Sequence, residues 1–147
     1  MWQHGQTTIT EEGLLKALKD APKGSISVLD GPSGCGKTFM LKQLAAPGGR
    51  SVEKYSAEAV KELVMERIYS SPHRQRNLTG DDIIAIEDID FLSAAKSLQI
   101  EAAILIEKAS AEHAVIITGI QLSKRVPVMM KALKRHCDNL LVWKYQS

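Results

Sequence analysis

Cysteine is nearly missing from this chain: Cys35 and Cys137 are the only two among 147 residues. There is no CxxC pair and no zinc-ligand spacing, which excludes a disulfide scaffold and a structural zinc site. His4, His73, His113 and His136 likewise fall at no ligand spacing. Free thiols suit a reducing compartment, so the expected location is cytoplasmic. Aromatic residues are also scarce, at 5%, and Trp2, Trp143 and Tyr145 are scattered, so no stacking platform for single-stranded nucleic acid can be read. No apolar run approaches the roughly 18–20 residues that cross a bilayer. The opening "MWQHGQTTIT" lacks the charged-then-apolar order of a signal peptide. No membrane partner is expected. Charge of one sign is lacking as well: the formal net charge is +2, too little to argue for nucleic acid by itself. No internal repeat or low-complexity tract occurs.

What remains reads as one ordinary globular domain over residues 1–147, with residues 1–9 expected to be a flexible N-terminus; 44% of the residues are apolar and 24% charged. Segments of helical and strand character alternate. Leu14, Leu15 and Leu18 mark a helix over Glu11 to Asp20, stopped by "APKG". Ile26–Leu29 is a short buried strand, and a helix over Phe39 to Ala46 ends at "PGG". "SVEKY" is a second strand. Ser56 caps a helix carrying Val60, Leu63, Val64 and Ile68, and "SPHRQRNLTG" is a polar loop. Ile83–Ile86 is a third strand, Ala94–Ala109 a helix and Ala114–Thr118 a fourth strand. Pro127 suits the first turn of a helix with Val126, Met129, Met130, Leu133 and Cys137 on one face, and Leu140–Trp143 is the last strand. Five apolar strands separated by helices predict a parallel α/β sheet covered on both faces. Right-handed crossovers then bring every strand's C-terminal end to one rim, where ligands bind.

Two motifs fall on that rim. "GPSGCGKT", Gly31 to Thr38, matches G-x-x-x-x-G-K-[ST] at every fixed position. Glycines let backbone N–H groups turn toward phosphate oxygens, and the following helix adds the positive end of its dipole. Gly31, Pro32, Ser33, Gly34, Cys35, Gly36, Lys37, Thr38 and Phe39 are therefore the candidate nucleotide-binding residues. Lys37 would reach the β- and γ-phosphates, and the Thr38 hydroxyl would ligate Mg²⁺. The second motif, "IIAIEDIDFL", sets Glu87, Asp88 and Asp90 after an apolar strand, inside a block, Asp81 to Asp90, of five acids and no base. Strand alternation sends Glu87 and Asp88 to opposite faces while the chain stays extended, so one would serve Mg²⁺ and the other the attacking water. Asp90 is read as a cap of the following helix.

These motifs carry a resemblance. "DDIIAIEDIDFL" resembles the Walker B segment of AAA+ ATPases, closest to the clade of bacterial replication initiators formed by DnaA, Hda and the DnaC-type helicase loaders. "YSAEAVKELV" and "VIITGIQLSKRVPVMMKALKRHCDNLLVWK" are similar to further stretches of that clade, and the likeness runs from about Ser25 to Lys144. It implies a P-loop NTPase three-layer sandwich with a five-stranded parallel sheet in the order 5-1-4-3-2. It implies ATP or ADP with Mg²⁺, catalytic roles for Lys37, Glu87, Asp88 and Thr118, and metal contacts from Thr38, Glu87 and Asp88. It also implies a regulatory or adaptor role in replication initiation, with another AAA+ protein or a replication factor as partner, weak DNA phosphate contact and oligomerisation. The chain departs from the pattern in five places. Glu87 stands where the clade has Asp; the water-orienting position falls on Ile120, with Thr118 its nearest substitute; the arginine-finger position falls on Arg135, His136 and Cys137; the adenine-contacting segment is shortened to "TTITEEGLLKALKDAPKG"; and no counterpart of the helical lid or the DNA-reading helix-turn-helix is expected here. An arginine finger is worth about 10³–10⁵ in rate, so binding with slow or partner-dependent hydrolysis is expected.

Two other readings compete. The loop also resembles guanylate kinase loops, but a nucleotide kinase needs an acceptor site and an Arg-rich lid, whereas paired acids and "DFL" follow Ile86 and the only later arginines are Arg125 and Arg135. A nucleotide-binding interaction module without catalysis is opposed only by the acids. Among weaker signals, Gln121 to Ser147 holds six Lys or Arg against one Asp. Lys131 and Arg135, spaced i, i+4, lie opposite an apolar stripe, "HRQR" at His73–Arg76 sits in the polar loop, and Ile104 is placed on the outer face of its helix.

Overall fold

The polypeptide folds around one mixed sheet in the computed structural model, which describes every residue except Pro72, Arg74 and Ser93. In chain order the elements are β1 (Trp2–His4), β2 (Thr7–Ile9), α1 (Glu11–Lys19), β3 (Ile26–Asp30), α2 (Lys37–Leu44), β4 (Val52–Ser56) and α3 (Ala57–Tyr69). They continue with β5 (Ile83–Glu87), a 3-10 turn at Ile89–Phe91, α4 (Lys96–Ser110), β6 (Ala114–Gly119), α5 (Leu122–Arg125), α6 (Pro127–His136) and β7 (Leu140–Tyr145). The "HRQR" signal includes Arg74 and so lies partly outside the described residues.

The sheet runs β2-β1-β7-β3-β6-β5-β4. The strands β3 to β7 pair in parallel, and β1 and β2 add antiparallel to the β7 edge. Seven strands therefore replace the five expected from sequence. The two additional ones lie in residues 1–9, which were expected to be flexible. Each is three residues long, too short to show a period of two, yet Gly5 at φ +59° turns the hairpin and Trp2 is fully buried.

Strand alternation explains the two helical layers. Ile26, Val28, Ile84, Ile86, Val115 and Ile117 meet α3, α4 and α6 on one face. Leu29, Ile83, Ala85, Ala114 and Ile116 meet Leu14 and Leu18 of α1 and Met40, Leu41 and Leu44 of α2 on the other. Burial of each such side chain contributes about 1.5–3 kcal/mol. Local signals place the helices. Thr10 Oγ1 accepts the N–H of Gly13 at 3.1 Å, and Ser56 Oγ accepts that of Ala59 at 3.1 Å. Pro127 opens α6, whose orphan N–H groups at Val128 and Met129 donate to the buried Gln99 Oε1 of α4 at 3.0 and 3.2 Å. Arg50 closes the far end. Its guanidinium holds both oxygens of Asp82, at 2.8 and 2.6 Å, and donates to Ala21 O at 2.5 Å just past α1.

Candidate phosphate-binding site

β3 ends at Asp30, the loop runs through Gly36, and α2 begins at Lys37. Gly34 and Gly36 adopt φ of +82° and +102°, and a Cβ at either would meet nothing within 4 Å, so backbone conformation rather than space demands glycine there. Gly31 is constrained in the opposite way. A Cβ there would lie 2.8 Å from Cys35 Sγ, 2.8 Å from Tyr145 Cβ and 3.3 Å from the Trp2 ring. The loop is thus seated on the N-terminal strand and the end of β7. Gly36 gives α2 no side-chain cap, which leaves the first-turn N–H groups open to an anion at the positive end of the helix.

Lys37 is buried, at 7% exposure. Its ammonium donates to the carbonyls of Gly31, Gly119 (3.1 Å) and Pro32 (3.4 Å). No carboxylate of the described residues forms an ion pair with it. A buried cation held only by carbonyls is costly and calls for an anion.

The acids follow β5. In the sheet β6 lies between β3 and β5, so the end of β6 separates the glycine loop from the acids. Glu87 closes β5 half-buried, and its Oε1 is buried with no hydrogen-bond partner among the described residues. Asp88 is exposed and adopts φ +56°, ψ +45°, a left-handed conformation that costs a non-glycine residue on the order of 1–3 kcal/mol. The chain is therefore not extended at Asp88, and simple alternation does not relate the two acids. The Asp88 N–H donates to Thr118 Oγ1 at 3.2 Å. Asp90 is not the helix cap expected from sequence. It sits inside the 3-10 turn, buried, and accepts the Ile120 N–H at 3.1 Å, because the turn directs its carboxylate back toward β6.

A cleft of about 430 Å³ opens beside the loop, lined by Asp30, Gly31, Pro32, Gln121, Lys124 and Lys144 among others. A smaller hollow of about 230 Å³ between α1 and α2 is lined by Leu15, Gly36, Met40 and the 66%-exposed Phe39, with Glu11 and Glu12 at its edge.

Neither a protein-family model nor a curated protein matches the chain. Solved structures do. Domain III of the Thermotoga maritima replication initiation protein DnaA superposes with a TM-score of 0.66 at 18% identity, over 92% of this chain and 60% of that one. The fold is that of DnaA domain III. AMPPCP-bound DnaA from Aquifex aeolicus matches with a TM-score of 0.55 at 19% identity, over 89% of this chain and 44% of that one. DnaA bound to AMPPCP and single-stranded DNA matches with a TM-score of 0.59 at 18% identity, over 92% and 45%. The chain spans less than two thirds of each of these proteins.

Within this DnaA-like fold the structure brings Gly31, Lys37 and Gly119 together, and joins Asp88 to Thr118. Pro32, Ser33, Gly34 and Thr38 are exposed along the loop, while Cys35 is half-buried. Arg135 and His136 stand exposed on the last turn of α6. Ile104, placed on an outer face by sequence, is half-buried. Among the described residues no group of three or more His, Cys, Asp or Glu is arranged to hold a metal, and no helix is long and apolar enough to cross a membrane. Sequence reasoning missed Trp2 and Tyr145, which carried no motif. It also missed Asp30, whose position just before Gly31 was the available signal and whose Oδ2 accepts the Leu122 N–H at 3.2 Å.

Proposed function

We propose that residues 1–147 form a nucleotide-binding domain of the DnaA-related AAA+ type, which binds ATP or ADP with Mg²⁺ and hydrolyses ATP slowly or only with a partner. The observation that carries this reading is the buried Lys37 ammonium, held by carbonyls at the start of α2 with no carboxylate partner among the described residues. A phosphate tail supplies the missing negative charge where uncapped N–H groups already point. Gly31 to Gly36 would cradle the phosphates and Lys37 would move onto the β- and γ-groups. The hollow beside Phe39 suits the base, because its walls are largely apolar and it adjoins Gly36.

The donor set fits a magnesium ion that keeps most of its water. Mg²⁺ with nucleotide takes one or two protein oxygens rather than a cage. Thr38 is exposed on the first turn of α2, and Glu87 Oε1 is buried without a partner among the described residues. Thr38, Glu87 and Asp88 would hold the ion's shell, and the ion would neutralise phosphate charge. Between the two acids, Asp88 is the exposed one, and it is free to orient water. Slow turnover is supported by Ile120 at the water-orienting position and by Thr118, whose hydroxyl already accepts from Asp88.

AMPPCP in the DnaA neighbours supports ATP and ADP as ligands, and single-stranded DNA in one of them supports a role near DNA. Those likenesses support a place in replication initiation, and we infer a regulatory or adaptor module with another AAA+ protein or a replication factor as partner and the cytoplasm as its place. Titration of ATP and ADP with and without Mg²⁺ tests the site. Lys37→Ala is expected to weaken both at least tenfold, and unchanged affinity overturns the assignment. Steady-state phosphate release tests turnover: a measurable rate in the parent chain that Asp88→Asn abolishes supports hydrolysis, and no release with or without Asp88 leaves a binding module only.

A further inference from the structure

The buried carboxylate of Asp90 has no role in the reading above, and the structure gives it a specific target. Its Oδ1 accepts the Ile120 N–H at 3.1 Å, with the side chain 1% exposed. Oδ2 makes no hydrogen bond among the described residues and faces Arg125 Nη1 at 4.0 Å. The Ile120 N–H belongs to the same peptide unit as the Gly119 carbonyl. In a trans peptide the two groups point in opposite directions, and no peptide in the described chain is cis. Holding the N–H on one side therefore aims the carbonyl to the other. There the Gly119 oxygen accepts from Gly31 N at 3.1 Å and from Lys37 Nζ at 3.1 Å.

The surrounding chain reinforces this one peptide. A Cβ on Gly119 would lie 2.9 Å from Asp90 Oδ1 and 2.4 Å from Leu122 Cδ2, so only glycine allows Asp90 so near. Gln121, the next residue but one, is held at φ +48°, and Leu122 N–H is anchored by Asp30 Oδ2 at 3.2 Å. Strain of this kind persists only where neighbours over-determine the backbone. An ionised acceptor also polarises the peptide it grips, which strengthens the carbonyl as an acceptor.

We propose that Asp90 is a positioning residue of the phosphate site: by fixing the Gly119–Ile120 peptide it sets the Gly119 carbonyl against the first residue of the glycine loop and against Lys37. This rests on the nucleotide-binding reading and assigns Asp90 no contact with ligand. Without the carboxylate the peptide rotates, the Gly31 N–H loses the acceptor that it keeps in the bound state, and the cradle loosens at its base.

Three measurements on the full chain test it, the first two read by titration with a fluorescent ATP analogue and Mg²⁺. Asp90→Leu matches the volume and removes the acceptor, and it is expected to weaken binding about tenfold or more, the scale of one or two charge-assisted hydrogen bonds. Asp90→Asn keeps an acceptor without the charge and is expected to recover binding to within about threefold of the parent chain. Equal binding by the parent chain and the Leu variant overturns the proposal, as does an Asn variant no better than Leu. If the Leu variant does not fold, the parent chain decides: its Ile120 amide resonance is expected to shift on saturation with ADP, as Lys37 leaves the Gly119 carbonyl. An unmoved resonance in a chain that binds ADP overturns the role of Asp90. A parent chain that binds no nucleotide overturns the underlying reading instead.

Discussion

Replacing Lys37 with methionine separates what the buried ammonium does for the fold from what it does for a ligand. The side chain is 7% exposed and is balanced only by carbonyls. Exchange for a linear apolar side chain of similar length removes a buried charge, a relief of several kcal/mol. Against that, the Gly31 carbonyl loses its ammonium donor, at about 1–3 kcal/mol. The Gly119 carbonyl keeps the Gly31 N–H at 3.1 Å and loses less. The balance favours Lys37→Met by about 1–2 kcal/mol in the absence of nucleotide. A chain of this length changes melting temperature by about 3–4 °C per kcal/mol, so the variant should melt about 3–8 °C higher. With nucleotide at about 100 times its Kd, the parent chain gains about 2.7 kcal/mol, or about 8–11 °C, while a variant that binds at least tenfold more weakly gains at most about 1.4 kcal/mol, or about 4–6 °C. Thermal unfolding of both chains, with and without ATP and Mg²⁺, measures all four values. A ligand-free variant that melts below the parent chain refutes the reasoning, because the ammonium would then be at home among its carbonyls and would need no anion.

Two other perturbations probe the two ends of the sheet, the Arg50–Asp82 pair at the far end and Trp2 beneath the glycine loop. The Asp82 carboxyl is held below its ordinary range by the Arg50 guanidinium, with burial opposing. Its contribution is therefore complete above the unfolded-state value of about 3.9 and is lost as pH falls through the lower folded value. Asp82→Asn should lower the urea midpoint by the equivalent of about 1 kcal/mol at pH 7 and at pH 5. The difference should vanish near pH 2, and one that persists there counts against the pairing. Trp2→Ala removes a fully buried ring that packs edge-on to Tyr145, with centroids 5.4 Å apart, and abuts Gly31. It should cost about 3–5 kcal/mol in urea unfolding and weaken nucleotide binding as well, so a variant that loses stability but binds ATP as before would show that the N-terminal strand does not support the loop.

The parts legible in the sequence were those with a period or a fixed local chemistry. Short apolar runs bounded by polar residues marked β3, β5 and β6, whose two faces lie in separate clusters. Ser56 and Pro127 marked helix starts, and Gly34 and Gly36 are in the left-handed conformations their motif requires. What stayed hidden depends on partners distant in sequence. Three-residue strands carry no usable period, so β1 emerges only by pairing with β7, where Trp2 lies opposite Tyr145 and beside Gly31, and β2 only by pairing with β1. Asp90 reads like a helix cap because Asp precedes many helices, but the left-handed turn at Asp88 redirects the chain and sends that carboxylate to Ile120 instead. Positive φ at an Asp or Gln has no sequence signature of its own.

The hydrogen bonds at the end of β6 bear on the balance between binding and turnover. Four separate elements grip four of the five residues from Thr118 to Leu122. Asp88 N–H reaches Thr118, Gly31 N–H and Lys37 reach the Gly119 carbonyl, Asp90 takes Ile120 N–H, and Asp30 takes Leu122 N–H. The backbone groups in these bonds are already committed to holding the rim together. The Thr118 hydroxyl, the nearest polar substitute for a water-orienting side chain, has a lone pair occupied by backbone and is 2% exposed. Phosphate binding asks of this rim only that Lys37 exchange a carbonyl for an anion, a local change that leaves Gly31, Asp30 and Asp90 in place. Hydrolysis asks in addition for an oriented water and for positive charge opposite the leaving group, and Ile120 supplies neither. The proposed function therefore predicts a nucleotide held by the chain's own residues and rapid phosphoryl transfer only with another protein.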